Sequence, residues 1–150
     1  MINDWDRKNM TLDPNYVPSD PEKAKLVLKL GNMITDRYLV KYTGTMTYED
    51  PEYWMLDEIL TKEEVKLMLS FGKTRRNKDI EELAKLNGMT VEHAQEVVQH
   101  LMWIGVVECN RENADKHLQY NVPIFVPGSA EFAMINTELV EQHPRLATFF

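Results

Sequence analysis

Positive charge is in short supply in this chain. Lysine and arginine number 17 against 24 aspartates and glutamates, a formal net charge of −7. A protein that lives on a phosphate backbone carries a basic surface, so this balance argues against nucleic acid as the partner. Cysteine is scarcer still. Cys109 stands alone, which excludes a disulfide within the chain and a secreted, staple-bound fold and fits a reducing interior. No apolar run approaches the roughly 20 residues of a membrane span, and "MINDWDRKNMTLDPN" lacks the apolar core of a signal peptide. The expectation is a soluble, cytoplasmic protein with no membrane partner. The six glycines are scattered singly, so there is neither a phosphate-cradling loop nor the Gly-x-Gly-x-x-Gly turn of a dinucleotide site.

What is present is ordinary globular composition, 43% hydrophobic and 27% charged, with clear punctuation. Residues 1–19 are polar with Pro14 and Pro18 and read as a loose arm. Asp20 and Pro21 start a helix that Gly31 suits to end. Residues 38–48 are aromatic and β-branched, a short strand or an extended arm. Asp50 and Pro51 start a second helix. Thr61 and Glu64 stand at capping-box spacing before an apolar face of Val65, Leu67, Met68, Leu69 and Phe71, closed by Gly72. A basic loop, Lys73 to Lys78, follows and reads as a solvated turn. Asn77 is placed to cap the next helix, whose Ile80, Leu83, Ala84 and Leu86 recur at helical spacing, with Gly88 after it. Thr90 caps the third helix of the set. Val91, Ala94, Val97, Val98, Leu101, Met102 and Ile104 form its buried side, and Gly105 ends it.

"VVECN", "RENAD" and "KHLQYNVPIFV" then read as strand, turn and returning strand, with Pro123 confining the far part to an edge or bulge. "PGSAEF" breaks the chain, and 130–142 is a last, acidic helical stretch. The expected fold is mainly α with a small β hairpin: a winged helix-turn-helix over 51–127, an N-terminal arm and extension helix over 1–50, and an acidic C-terminal helix or linker over 128–150. Its core should hold Leu67, Leu83, Val97, Leu101, Ile104 and Val107.

In a winged helix the third helix normally enters the major groove. Its outward residues here are Glu92, His93, Gln95, Glu96, Gln99, His100 and Trp103, none of them basic. Asp79, Glu81, Glu82, Glu92 and Glu96 oppose Lys85 alone across 79–105, so the surface repels phosphate. Gln95 and Gln99 have the chemistry to read adenine, with no nearby base to hold them there. The face bearing Gln95, Gln99, His100 and Trp103 is instead a candidate protein-contact surface, an aromatic anchor ringed by polar side chains. For Trp103 a place in the core is an equal expectation, and Trp54 reads as core.

No residue stands out as catalytic, cofactor-binding or metal-ligating. Cys109 and His117 lie on opposite strands of the expected hairpin, but no tight Cys-x-x-Cys or His-x-x-x-His pair accompanies them. Cys109 reads as a small buried strand residue. Ser129 lacks the Gly-x-Ser-x-Gly frame of a nucleophile elbow.

"DPEYWMLDEILTKEEVKLML", "ELAKLNGMTVEHAQEVVQHLMWIGVVE" and "YNVPIFVPGSAEFAMINTELVEQHPRLATFF" together resemble the N-terminal region of bacterial iron–sulfur, FAD-dependent pyridine-nucleotide oxidoreductases, found mostly in anaerobes. The likeness covers about 50–150, and "FVPGSAEF" is its most distinctive piece. It implies a helical, winged-helix-like leading segment followed, in the family, by a [4Fe–4S] module and by FAD- and NAD(P)-binding parts. None of those cofactor residues is in this chain. The resemblance implies a leading domain of a longer enzyme, or a stand-alone relative without the redox modules. The halt at Phe149-Phe150 inside an apparent helix hints at truncation.

Two readings follow. One is a non-catalytic docking or scaffold domain whose partners are other domains or subunits of a redox enzyme, or a second copy of itself. The other is a small winged-helix transcription regulator, as a dimer. The isolated chain is expected to carry no flavin and no cluster.

Overall fold

The computed structural model describes residues 17–35, 46–48 and 50–148. In chain order its elements are α1 (Pro21–Ile34), α2 (Pro51–Ile59), α3 (Lys62–Ser70), α4 (Ile80–Asn87), α5 (Val91–Ile104), β1 (Glu108–Asn110), β2 (Gln119–Asn121), α6 (Ala130–Ile135) and α7 (Thr137–Gln142). A single turn of 3-10 helix, Pro144–Thr148, follows. The chain is mostly helical with one small antiparallel sheet. The expected arm falls almost wholly outside the described residues, as do most of 38–48 and the last two phenylalanines.

Helix starts follow the local chemistry. The first N–H groups of a helix have no partner within it, and a short polar side chain supplies one. Asp20 accepts from the Lys23 N–H at 3.0 Å, and Thr90 from the His93 N–H at 3.2 Å. Thr61 and Glu64 form a reciprocal capping box, with Thr61 N–H donating to Glu64 Oε2 at 2.7 Å and Glu64 N–H to Thr61 Oγ1 at 3.2 Å. Gly88 and Gly105 end α4 and α5 with φ of 63° and 95°, the left-handed conformation that glycine takes without a Cβ penalty.

Several expectations need correction. Asp79, not Asn77, caps α4, accepting from the Glu82 N–H at 2.8 Å. Asn77 is itself left-handed, with φ 48°, and its N–H donates to Asn121 Oδ1 at 2.8 Å. Gly31 does not end α1, which runs on to Ile34. It is buried inside the helix because the Met46 side chain lies where a Cβ would stand. Val91 and Leu86, assigned to buried faces, are 40% and 54% exposed. Each sits at the solvent edge of its helix. The expected helix over 130–142 breaks at Asn136, which leaves α6 and caps α7 by accepting from the Leu139 N–H at 3.1 Å.

The hairpin forms with shorter strands than expected. Cys109 pairs with Tyr120, flanked by Glu108 with Asn121 and Asn110 with Gln119. Val106 and Val107 precede the strand and are buried, and β2 stops before Pro123, which cannot donate to a ladder. A third segment joins this sheet at one residue. Lys78 N–H donates to Tyr120 O at 3.2 Å and Tyr120 N–H to Lys78 O at 2.8 Å. The stretch between α3 and α4 thus lies on the free edge of β2.

Apolar side chains from all parts of the described chain share one core, from Ala24 to Leu146. Leu67, Leu83, Val97, Leu101, Ile104 and Val107 all lie in it, as expected. α1 packs on α2 and α3, and α4 on α3 and α5. Full burial of a leucine such as Leu30 or Leu101 contributes about 1.5–3 kcal/mol. The C-terminal turn is held at α2, where the Arg145 guanidinium carbon lies 5.6 Å from the Trp54 ring centre and His143 Nδ1 is 3.2 Å from Glu58. Among the described residues no helix is long and apolar enough to cross a membrane.

Candidate functional site

The outward face of α5 is where the candidate contact residues come together. At about 100° per residue, Gln99 and Trp103 lie along its centre, with Gln95 and His100 on its two edges. The edges are tied to neighbours and the centre is not. Gln95 is half-buried, its amide donating to the Tyr120 hydroxyl at 3.4 Å, so it belongs to the seam between α5 and the hairpin. His100 reaches the other way, its Nδ1 meeting the buried carboxylate of Glu64 on α3. Its ring also stacks on Trp103, with centres 5.6 Å apart and planes 22° from parallel. Gln99 is exposed.

Trp103 is 37% exposed and Trp54 9%. Trp54 completes the core, and Trp103 covers its edge and faces solvent. Trp103 also has apolar company. Its carbonyl accepts from Asn136 Nδ2 at 2.9 Å, which brings the end of α6 beside it. Phe132 of α6 packs over Gly105, and Phe132 and Ile135 are 58% and 73% exposed. These two residues were missed in sequence because 130–142 read as one acidic helix. The signal that would have found them is their i, i+3 spacing on a face opposite Ala130 and Ala133.

Acidic side chains rim this surface, and histidine answers some of them. His93 Nε2 lies 2.9 Å from Glu63 Oε1 of α3, and its Nδ1 lies 3.6 Å from Glu96. The hydrogen bond to Glu63, reinforced by the charges of Glu63 and Glu96, raises its pKa above the usual imidazole value.

The other candidates resolve simply. Cys109 is exposed, a correction to the expected burial, although its ladder partner Tyr120 on the same face of the sheet is buried, so the short hairpin reaches beyond the core at this strand. It does not face His117, which precedes β2. His117 lies instead near Asp79 and Glu81, their ligating atoms all within 4.8 Å of one another. The trio is open to solvent, and Asp79 already caps α4 through its other oxygen. Ser129 is 1% exposed, closed off from any substrate. An iron–sulfur cluster needs several thiolates, and this chain has one, on an exposed strand. The described glycines other than Gly31 and Gly128 end helices, so the residues present do not fit a cluster or a dinucleotide.

The basic loop is a solvated turn as expected, with Lys73, Arg76 and Asn77 exposed, but its backbone is tied to the hairpin, where Val122 N–H donates to Arg75 O at 2.9 Å and the Lys78–Tyr120 pair follows. Set against family models, curated proteins and solved structures, the chain matches none of them.

Proposed function

We propose that this chain is a winged helix-turn-helix module used to dock on protein, the leading non-catalytic domain of a cytoplasmic iron–sulfur, FAD-dependent NAD(P) oxidoreductase or a stand-alone relative of that domain. The order α3, Lys78 edge, α4, α5, β1, β2 supports the winged-helix reading. The observation that carries docking is the surface of Trp103, Phe132 and Ile135 beside the acidic face of α5. A partly exposed aromatic among solvent-facing apolar side chains is what a hot spot needs. The carboxylates of Glu92, Glu96, Glu131 and Glu138 around it call for a partner surface that is apolar at its centre and basic at its rim.

One observation favours the regulator reading instead. Lys73, Arg75, Arg76 and Lys78 cluster beside the hairpin, where a wing can approach a phosphate backbone. A mobility-shift titration of the 150-residue chain with random and selected duplexes at physiological salt separates the two. The docking reading expects no sequence-selective complex, together with saturable binding to the flavin and iron–sulfur modules of an oxidoreductase of the resembling family, or self-association in sedimentation. A tight, selective DNA complex overturns it.

A further inference from the structure

Between the 73–77 loop and the hairpin lies a cleft of about 400 Å³, walled by Arg75, Arg76, Asn77, Glu108, Asn110 and Asn121. We propose that it binds a small polar metabolite with a terminal oxyanion, phosphate or carboxylate. The Arg75 and Arg76 guanidiniums take the oxyanion, and Glu108 takes a hydroxyl or amino donor at the ligand's other end. This inference is independent of the docking surface on α5 and α6.

Three features point here. First, Arg75 Nη1 is buried without a hydrogen-bond partner. A guanidinium stays charged at any ordinary pH, and a buried charged donor left unpaired is costly, so the group is suited to an acceptor that arrives from outside. No ion pair to a protein carboxylate satisfies Arg75 or Arg76 among the described residues, although Glu108 lines the same cleft. A guanidinium nitrogen left unbonded in this way suits an oxygen of phosphate or carboxylate.

Second, the wall is built before any ligand arrives. Arg75 and Asn77 both have left-handed backbones, φ 57° and 48°, a conformation that asparagine takes readily but that is uncommon for arginine unless its surroundings hold it. Three hydrogen bonds hold the wall. Arg75 N–H donates to Gly72 O at 3.1 Å, and Arg75 O accepts from Val122 N–H at 2.9 Å. Asn77 N–H donates to Asn121 Oδ1 at 2.8 Å.

Third, the lining is polar and mixed in sign. Asn121 gives its oxygen to Asn77, which leaves its NH2 group as a donor. Asn110 bonds Asn77 Oδ1 at 3.4 Å. The volume exceeds that of a bare oxyanion, and Glu108 disfavours a ligand that is anionic throughout.

The test is calorimetric titration of the full chain with inorganic phosphate, glucose 6-phosphate and malate. Saturable one-to-one binding of glucose 6-phosphate assigns the phosphate chemistry, and binding of malate the carboxylate chemistry. Inorganic phosphate should bind more weakly than glucose 6-phosphate. Arg75→Gln should weaken the bound probe by tenfold or more, roughly the loss of one charge-assisted pair. Should Arg75→Gln fail to fold, the exposed Arg76→Gln and Glu108→Gln decide. The former weakens binding several-fold, and the latter narrows the preference for glucose 6-phosphate over phosphate. No saturable binding up to about 10 mM of any probe overturns the proposal. So does binding that all three variants leave unchanged, or duplex DNA binding that needs Arg76 while no small molecule binds.

Discussion

The two charged surfaces of this molecule are built on opposite plans. On the outer face of α5 the charges are carboxylates, and histidines meet them at the edges: His93 at Glu63 and Glu96, His100 at Glu64. Among them stand exposed apolar side chains, Trp103, Phe132 and Ile135. On the hairpin side the charges are arginines, the backbone beneath them is stitched to β2, and the guanidinium of Arg75 keeps a buried nitrogen unbonded. One surface has part of its charge answered and its oil exposed. The other has its backbone answered and its charge exposed. Unsatisfied chemistry, not net charge, is what both proposals rest on: a protein for the first surface, a small anion for the second.

Both surfaces stand on the same core. Leu101 is fully buried on the inner side of α5, in the core that α3 and α4 share. Leu101→Ala should cost about 2–5 kcal/mol by lost burial and a residual cavity. Chemical unfolding followed by tryptophan fluorescence measures it. Both surfaces should lose their binding together at the same denaturant concentration. Loss of one before the other would show that they belong to separate cooperative units.

Gly105 tests the apolar surface alone. Its φ of 95° is left-handed, and an added Cβ would stand 2.6 Å from Phe132 Cδ1. Gly105→Ala should therefore destabilise by about 1–3 kcal/mol through backbone strain, and should push Phe132 and α6 off the end of α5. Binding by the Trp103 surface should fall while anion binding at the cleft persists. A variant as stable as the parent would mean that α6 is not anchored at this glycine.

How much of this contrast can be read in the amino acids depends on distance along the chain. The α5 surface is local. Helical spacing puts Gln99 and Trp103 on one face and Leu101 on the other, and both assignments stand in the structure. Capping at Asp20, Thr61 and Thr90 is local too. What failed was non-local or borderline. Gly31 reads as a helix end unless Met46 is known to lie against it. Asn77 and Asp79 are both good caps, and the choice falls to Asp79 because Asn77 is drawn to Asn121, 44 residues away. The basic loop reads correctly as solvated, but its backbone bonds to Tyr120 and Val122 do not show in the sequence, since periodicity cannot place that distant segment beside it. Cys109 reads as buried from its apolar character, yet it is exposed beside its buried partner Tyr120, because burial on one face of a two-stranded sheet depends on which elements cover each strand.

Trp103→Ala sharpens the comparison further. With the residue 37% exposed, the substitution should lower stability by about 1–2 kcal/mol, less than a fully buried tryptophan would cost. It should weaken protein association by about 2 kcal/mol or more if Trp103 is the anchor. Thermal unfolding of the variant, paired with binding of its folded form, separates the two quantities. A Trp103→Ala protein that unfolds yet binds normally in its folded fraction would place the docking surface elsewhere.

The smallest effect concerns the charges that are answered. His93 has a raised pKa, chiefly through its hydrogen bond to Glu63 and then through the charges of Glu63 and Glu96. A histidine whose folded pKa lies above its ordinary value of 6.5 binds its proton more tightly in the folded chain than in the unfolded one. Its contribution to stability is thus fully present below that ordinary value and is lost as pH rises through the raised one. His93 is exposed and screened by solvent, so the contribution is small. Comparing the parent with His93→Gln isolates it, because His100 and the other titrating groups are common to both. The parent should have the higher unfolding temperature at about pH 5.5, where imidazole is charged, and the gap should close by about pH 8.5, where it is neutral. Added salt should shrink the gap at the acid end, since an exposed pair is screened. A gap that instead widens toward high pH would mean that His93 holds α5 to α3 as a neutral hydrogen-bonding ring, and that the acidic surface is not balanced by charge there.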